Sequence, residues 1–216
     1  MGKEYEIQVL EVDVTSMRKK LKKLKGKRIH KSIKFVRSVF NRCNSKIRSF
    51  VRVRNEGKKT TMTIKIYNDP KFPDEHEVTI EDDFETGKKF LEALNLKMKA
   101  YQETYREKWS LPIKGVHEIT FDIWPGLPQY MEIDCSDKKT LDKVISLLEV
   151  DKKKISYGPS AAKYEHYYGI SQKVINEKTK SLTFKNISKE IKPKKNKELL
   201  DKIAKEQKKL INFIKN

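Results

Sequence analysis

With 216 residues the chain has room for one domain with a real core plus a tail, and its 37% charged residues exceed the share of an ordinary globular chain. A formal net charge of +19 points to polyanionic partners such as nucleotides, polyphosphate, RNA or an acidic membrane surface. Cys43 and Cys135 are too few for a disulfide framework or a thiolate metal cluster, and no segment approaches the apolar length of a membrane span, so a cytoplasmic protein without membrane contact is expected.

Taken in chain order, residues 4 to 9 alternate as a strand does, with Glu4, Glu6 and Gln8 on one face and Tyr5, Ile7 and Val9 on the other. Met17, Leu21 and Leu24 then follow Thr15 or Ser16 at helical spacing. Arg48, Phe50, Arg52 and Arg54 alternate with Ser49, Val51 and Val53. Thr61, Thr63 and Lys65 oppose Met62, Ile64 and Ile66, and after prolines 70 and 73 Glu75, Glu77 and Thr79 oppose His76, Val78 and Ile80. A second helix carries Phe84, Phe90, Leu91 and Leu94 behind Asp82 and Asp83.

Residues 101 to 109 set Gln102, Thr104, Arg106 and Lys108 against Tyr101 and Tyr105, but Glu103 and Glu107 share the second face, so the strand reads either way. Glu118, Thr120 and Asp122 oppose Ile119, Phe121 and Ile123, and Tyr130, Glu132 and Asp134 oppose Met131, Ile133 and Cys135. A third helix places Leu141, Val144, Ile145 and Leu148 after Ser136 or Asp137. Residues 157 to 169, rich in tyrosine, read as a loop and a short helix, in which the aromatic rings pack a core edge by default, stacking on a base beside Lys163 being the alternative.

Helices of this kind cover the aliphatic strand faces, which leaves the charged faces in water or around a shared interior. For any single strand the ordinary half-buried sheet accounts for the pattern equally well. The signs, however, are segregated: carboxylates gather on residues 4 to 6, 75 to 77, 118 to 122 and 132 to 134, while arginine and lysine dominate 48 to 54, 65 and 106 to 108. Segregation of this kind suits a cavity that holds divalent cations on oxygen donors and an anion on guanidinium groups, and closing the sheet as a barrel creates that cavity.

Glu4-x-Glu6-x-Gln8 resembles the Glu-x-Glu-x-Lys signature of the CYTH domain, the triphosphate tunnel metalloenzyme superfamily. Phe-Val-Arg-Val-Arg at 50 to 54, Thr-Ile-Lys at 63 to 65 and the run from Tyr101 to Trp109 agree with it. Thr-Phe-Asp-Ile-Trp-Pro-Gly-Leu-Pro at 120 to 128, with Tyr-Met-Glu-Ile-Asp at 130 to 134, resembles the class IV adenylyl cyclase-like (CyaB-like) branch. The resemblance implies an α+β fold: an eight-stranded antiparallel β-barrel, the triphosphate tunnel, with helices packed outside.

It also implies Mg²⁺ or Mn²⁺ held by Glu4, Glu6, Asp122, Glu132 and Asp134, and a phosphate chain cradled by Arg52, Arg54, Lys65, Arg106 and Lys108, with Glu4, Glu6, Gln8 and Arg106 as the catalytic set. Two positions depart from the pattern: Gln8 stands where the family has Lys, and Asp134 where it more often has Glu. Three functions follow from the resemblance. Hydrolysis of a nucleotide, tripolyphosphate or thiamine triphosphate ranks slightly ahead of cyclisation of ATP to cyclic AMP and pyrophosphate. Because Gln8 removes a charge, a tunnel that binds triphosphate, polyphosphate or an RNA 5′ end without turnover is the third.

The tunnel domain is expected over residues 1–170 and a lysine-rich tail over 171–216. The tail carries 14 Lys+Arg against 5 Asp+Glu, while residues 1–170 carry 35 against 25. Leu199, Leu200, Ile203, Leu210, Ile211 and Ile214 give it a terminal amphipathic, basic helix whose candidate partners are the barrel itself, a second copy of the chain in a homodimer, and an acidic surface, including weak nucleic-acid contact.

Overall fold

The computed structural model describes residues 2–3, 5–42, 46–69 and 72–215. Glu4 and Cys43 therefore lie outside the described residues. The strands are β1 (Gly2–Lys3), β2 (Tyr5–Val9), β3 (Lys27–Asn41), β4 (Ser49–Asn55), β5 (Thr60–Ile66), β6 (Asp74–Ile80), β7 (Met98–Ser110), β8 (Val116–Ile123), β9 (Tyr130–Cys135), β10 (Ile155–Ser156) and β11 (Ser181–Leu182). The helices are α1 (Val14–Lys23), α2 (Phe84–Ala93), α3 (Lys138–Leu147), α4 (Ala161–Tyr168), α5 (Ile187–Glu190) and α6 (Lys197–Lys215).

One sheet runs β1-β6-β5-β4-β3-β7-β8-β9-β2-β10, antiparallel throughout, with β11 added in parallel to β7. β1 pairs with β6 while β2, just after it in the chain, pairs with β9, so the sheet curls until its two sides meet at the N-terminal segment. Among the described residues nine strands build it instead of the expected eight, because β1 and β2 stand where one first strand was expected; the two-residue β10 and β11 extend it.

β3 was not foreseen by alternation. Phe35 and Val39 face the interior, whereas Val36 and Phe40 pack outward with α2, so neither face is polar enough to show a period of two. β7 read ambiguously for a related reason. Its outward Glu107 is buried against α1, where Arg18 Nη2 lies 2.7 Å away and Trp109 Nε1 donates to the same carboxylate at 2.7 Å; Glu103 pairs with Lys34 of β3.

The helices cap with aspartate. Asp13 accepts from the Ser16 amide at 3.0 Å, Asp83 from Thr86 at 2.7 Å and Asp137 from Thr140 at 2.8 Å. For α1 this moves the cap from the expected Thr15 or Ser16 to Asp13, since the helix begins at Val14. α1 and α3 lay Met17, Leu21, Leu141 and Val144 on Ile7, Ile119, Met131 and Ile133, each fully buried aliphatic contributing about 1.5–3 kcal/mol. α2 approaches β4 closely at Gly87, where a Cβ would stand 2.8 Å from Ile80 and 2.9 Å from Val53. Phe90 and Leu94, expected in its apolar face, are more than half exposed.

A separate core joins the tail to the barrel: Leu182, Ile187, Ile191 and Leu200 pack with Trp124, Leu127, Tyr164 and Tyr168. The loop after β8 is clamped there. Gln207 of α6 accepts from the Gly126 amide at 2.8 Å and donates to the carbonyls of Trp124 at 2.8 Å and Leu127 at 2.9 Å. From α4, Tyr164 donates to the Pro125 carbonyl at 2.8 Å and Tyr168 to that of Gly126, so these tyrosines fix the loop that carries Trp124. No helix among the described residues is long and apolar enough to cross a membrane.

Candidate active site

Alternation turns one face of each long strand inward, and register decides which side chains meet. Glu6 of β2 lies opposite Asp134 of β9, and Gln8 opposite Glu132. Glu118 of β8 lies opposite Asp134, Arg106 of β7 opposite Asp122, Lys65 of β5 opposite Glu75 of β6. The result is a hollow of about 490 Å³. Of the residues singled out by sequence, it is lined by Glu6, Gln8, Arg52, Arg54, Lys65, Arg106, Lys108, Glu132 and Asp134. Asp122 is brought to Arg106 instead, buried behind it and away from the lining.

Five cations of the hollow are held by carboxylates from neighbouring strands and turns. Arg52 reaches Glu75 at 3.1 Å and Glu77 at 3.5 Å, Arg54 reaches Glu77 at 3.4 Å and also Glu56, and Lys65 reaches Glu75 at 2.8 Å. Arg106 is gripped on three sides, through Nε at 2.7 Å by Asp122, by Glu118 at 3.1 Å and by Glu132. Lys108 pairs with Glu118. Burial works against ionisation of Glu118, but Arg106 and Lys108 overcome it and hold the carboxyl at about 2. Glu75, Glu77 and Glu118 were legible as inward acids; their task as partners of the arginines was not.

A second group of carboxylates is crowded rather than paired. Burial, then the neighbouring charges of Glu6 and Glu118, push Asp134 up to about 8, and burial together with Glu132 raises Glu6. His117 stands 3.3 Å from Asp134. Among the described residues no three His, Cys, Asp or Glu side chains form a ready-made metal cage. Even so, oxygen donors from facing strands that repel one another until a cation arrives fit a hard divalent ion such as Mg²⁺ or Mn²⁺.

Two buried cations complete the picture, and the sequence reading assigned neither to the site. Lys163 of α4, 1% exposed, donates from Nζ to Gln8 Oε1 at 2.8 Å and lies 4.2 Å from the centre of the Tyr130 ring. Gln8 Nε2 in turn donates to Glu6 Oε1 at 2.8 Å. A positive charge thus stands beside residue 8, supplied from a helix instead of the strand. The second is Arg37 of β3, which lies opposite Arg54 on one side and Gln102 on the other.

A family model, CYTH domain, matches residues 2–168. Among solved structures, the chain is similar to the PH1012 protein of Pyrococcus horikoshii OT3, with 17% identity and a TM-score of 0.57 over 72% of this chain and 94% of that one. It is also similar to the PH1819 protein of the same organism, with 22% identity and a TM-score of 0.53 over 74% and 96%. A Vibrio parahaemolyticus protein provisionally named an adenylate cyclase shares 10% identity and a TM-score of 0.62 over 76% of this chain and 98% of its own. No curated protein matches. With the family model spanning residues 2–168, most of its length, the chain belongs to the CYTH domain family.

Proposed function

We propose that this chain is a metal-dependent enzyme that hydrolyses an inorganic or organic triphosphate inside its charged hollow. The reading is carried by the convergence of Arg52, Arg54, Lys65 and Arg106 with Glu6, Glu132 and Asp134 around one cavity of a size usual for small-molecule sites. Glu6, Glu132 and Asp134, with Glu4, would hold Mg²⁺ or Mn²⁺, and such a cation would supply charge that offsets the negative charge developing on phosphate oxygens.

The side chains do the rest by binding and orientation. Arg52, Arg54 and Lys65 exchange Glu75 and Glu77 for phosphate oxygens, trading one charge-assisted set of hydrogen bonds for another. Arg106, locked by Asp122 through Nε and Nη2, keeps one orientation while phosphate oxygens displace Glu118 and Glu132 from its remaining N–H groups. Lys163 restores through the Gln8 amide the charge that a lysine at position 8 would bring. Asp122 then serves as the anchor of Arg106, and Lys108 as a cation at the rim beside Glu118.

Product analysis tests the reading. Tripolyphosphate, thiamine triphosphate and ATP are incubated with the full chain and Mg²⁺ or Mn²⁺, and released phosphate is separated from pyrophosphate. Phosphate release is expected. Pyrophosphate with cyclic AMP from ATP alone identifies a cyclase, the activity in the Vibrio relative's name. Tight binding with no product refutes turnover and leaves a triphosphate-binding module.

A further inference from the structure

Arg37 differs from every other arginine of the hollow. Arg52, Arg54 and Arg106 each have a carboxylate within ion-pair reach. Arg37 has none among the described residues, although it is 7% exposed. Its Nη2 donates to Thr104 Oγ1 at 2.9 Å, its guanidinium lies 4.7 Å over the Trp124 ring, and its Nε has no partner. Trp124, 5% exposed, likewise keeps a buried indole N–H without an acceptor. Both side chains line the cavity.

An unpaired buried charge is costly, and so is an unmade hydrogen bond on a buried donor. Burial, then the charges of Arg54 and Arg52, already pull the ionisation of Arg37 down to about 9. A purely structural position would be served better by an apolar side chain of similar length. Both orphan groups are donors only, so what they lack is an acceptor, and the positive charges of Arg54 and Arg52 beside Arg37 favour an anionic one. A nucleobase edge, which mixes donors and acceptors, satisfies such a wall less well than a phosphoryl oxygen.

We propose that Arg37 and Trp124 form an additional oxyanion subsite at the wall of the hollow, which takes the terminal phosphoryl group of a phosphate chain seated on Arg52, Arg54 and Arg106. The subsite rests on the functional reading above and adds to it a residue that selects chain length and end. Its arginine lies on β3, whose alternation is unreadable, and its tryptophan just past the end of β8, which is why the charge pattern alone does not reveal it.

Calorimetric titration of the full chain with inorganic tripolyphosphate and with ATP, in EDTA, tests it. Arg37→Met should weaken tripolyphosphate binding about tenfold, equivalent to about 1.4 kcal/mol, and Trp124→Phe, which keeps a ring beneath the guanidinium, about threefold. Without ligand, Arg37→Met should melt above the wild type, because it removes the unpaired charge, a signature that loss of a structural arginine does not give. An equal loss on ATP places the nucleotide's terminal phosphoryl at Arg37; a loss on tripolyphosphate alone assigns the subsite to inorganic chains. If both variants bind tripolyphosphate as the wild type does while Arg52→Met loses it, the subsite is wrong and the phosphate cavity stands. If the wild type binds neither probe, in EDTA or with Ca²⁺ in its place, the functional reading fails and takes the subsite with it.

Discussion

Replacing Lys163 with methionine separates charge from packing at the point where this chain departs from its family's signature. Burial holds the Lys163 ammonium at about 8 instead of 10.5, which corresponds to about 3 kcal/mol spent on keeping it charged in the fold. Methionine recovers that cost but leaves Gln8 Oε1 without its donor, a loss of about 1–3 kcal/mol. The two nearly cancel, so Lys163→Met should melt within about 5 °C of the wild type. Turnover should not be spared. A charge-assisted hydrogen bond is worth about 1.5–3 kcal/mol, so kcat on Mg²⁺-tripolyphosphate should fall about 10- to 100-fold.

The double variant Gln8→Lys with Lys163→Met returns the charge to the strand and should recover most of that rate. The pH dependence gives a second check. The folded-state value of Lys163 lies below its unfolded value, so the wild type carries the burial penalty below pH 8 and sheds it as pH rises from about 8 to 10.5. Lys163→Met lacks that rise. Full turnover in Lys163→Met, or a well-folded double variant no faster than the single one, refutes the assignment.

Asp134 titrates in the opposite sense. Its folded value, about 8, lies above its unfolded value of 3.8, so without metal its contribution to stability is greatest at low pH and is lost as pH rises through about 8. Asp134→Asn should therefore melt above the metal-free wild type at about pH 8.5, and the gap should shrink towards about pH 4; equal melting temperatures at the higher pH contradict the crowding of carboxylates described here. In the tail, Leu200 is 2% exposed and meets the Gly126 turn, whose φ is +73°. Leu200→Ala should cost about 2–4 kcal/mol and lower the melting temperature by about 5–15 °C, read by calorimetry. No change would mean that α6 is not part of the folded core.

Much of the hollow was legible because a strand's period of two sorts side chains by face, and six segments sorted cleanly enough to name Glu6, Arg52 and Glu132, while the seventh, with Arg106, read either way. Pairing across strands was not legible, because register depends on how the whole sheet closes. That is why Asp122 read as a metal ligand, while the fold lays it opposite Arg106. Lys163 carried no local signal at all: it reaches Gln8 across 155 residues of chain, and a lysine on a short tyrosine-rich helix looks like a solvated one. The strand at Lys27–Asn41 hid Arg37 because its outward face is apolar where it lies under α2 and its inward face mixes Phe35 and Val39 with the charge.

The account turns on acids and bases from separate strands serving one ligand, and ³¹P spectroscopy of Mg²⁺-tripolyphosphate reads that directly. With the wild-type chain the tripolyphosphate signals should give way to pyrophosphate and phosphate. With Glu6→Ala, whose side chain lies at the hollow's acidic wall, they should persist although the protein stays folded. An unchanged spectrum with the wild type, or equal cleavage by Glu6→Ala, contradicts the account.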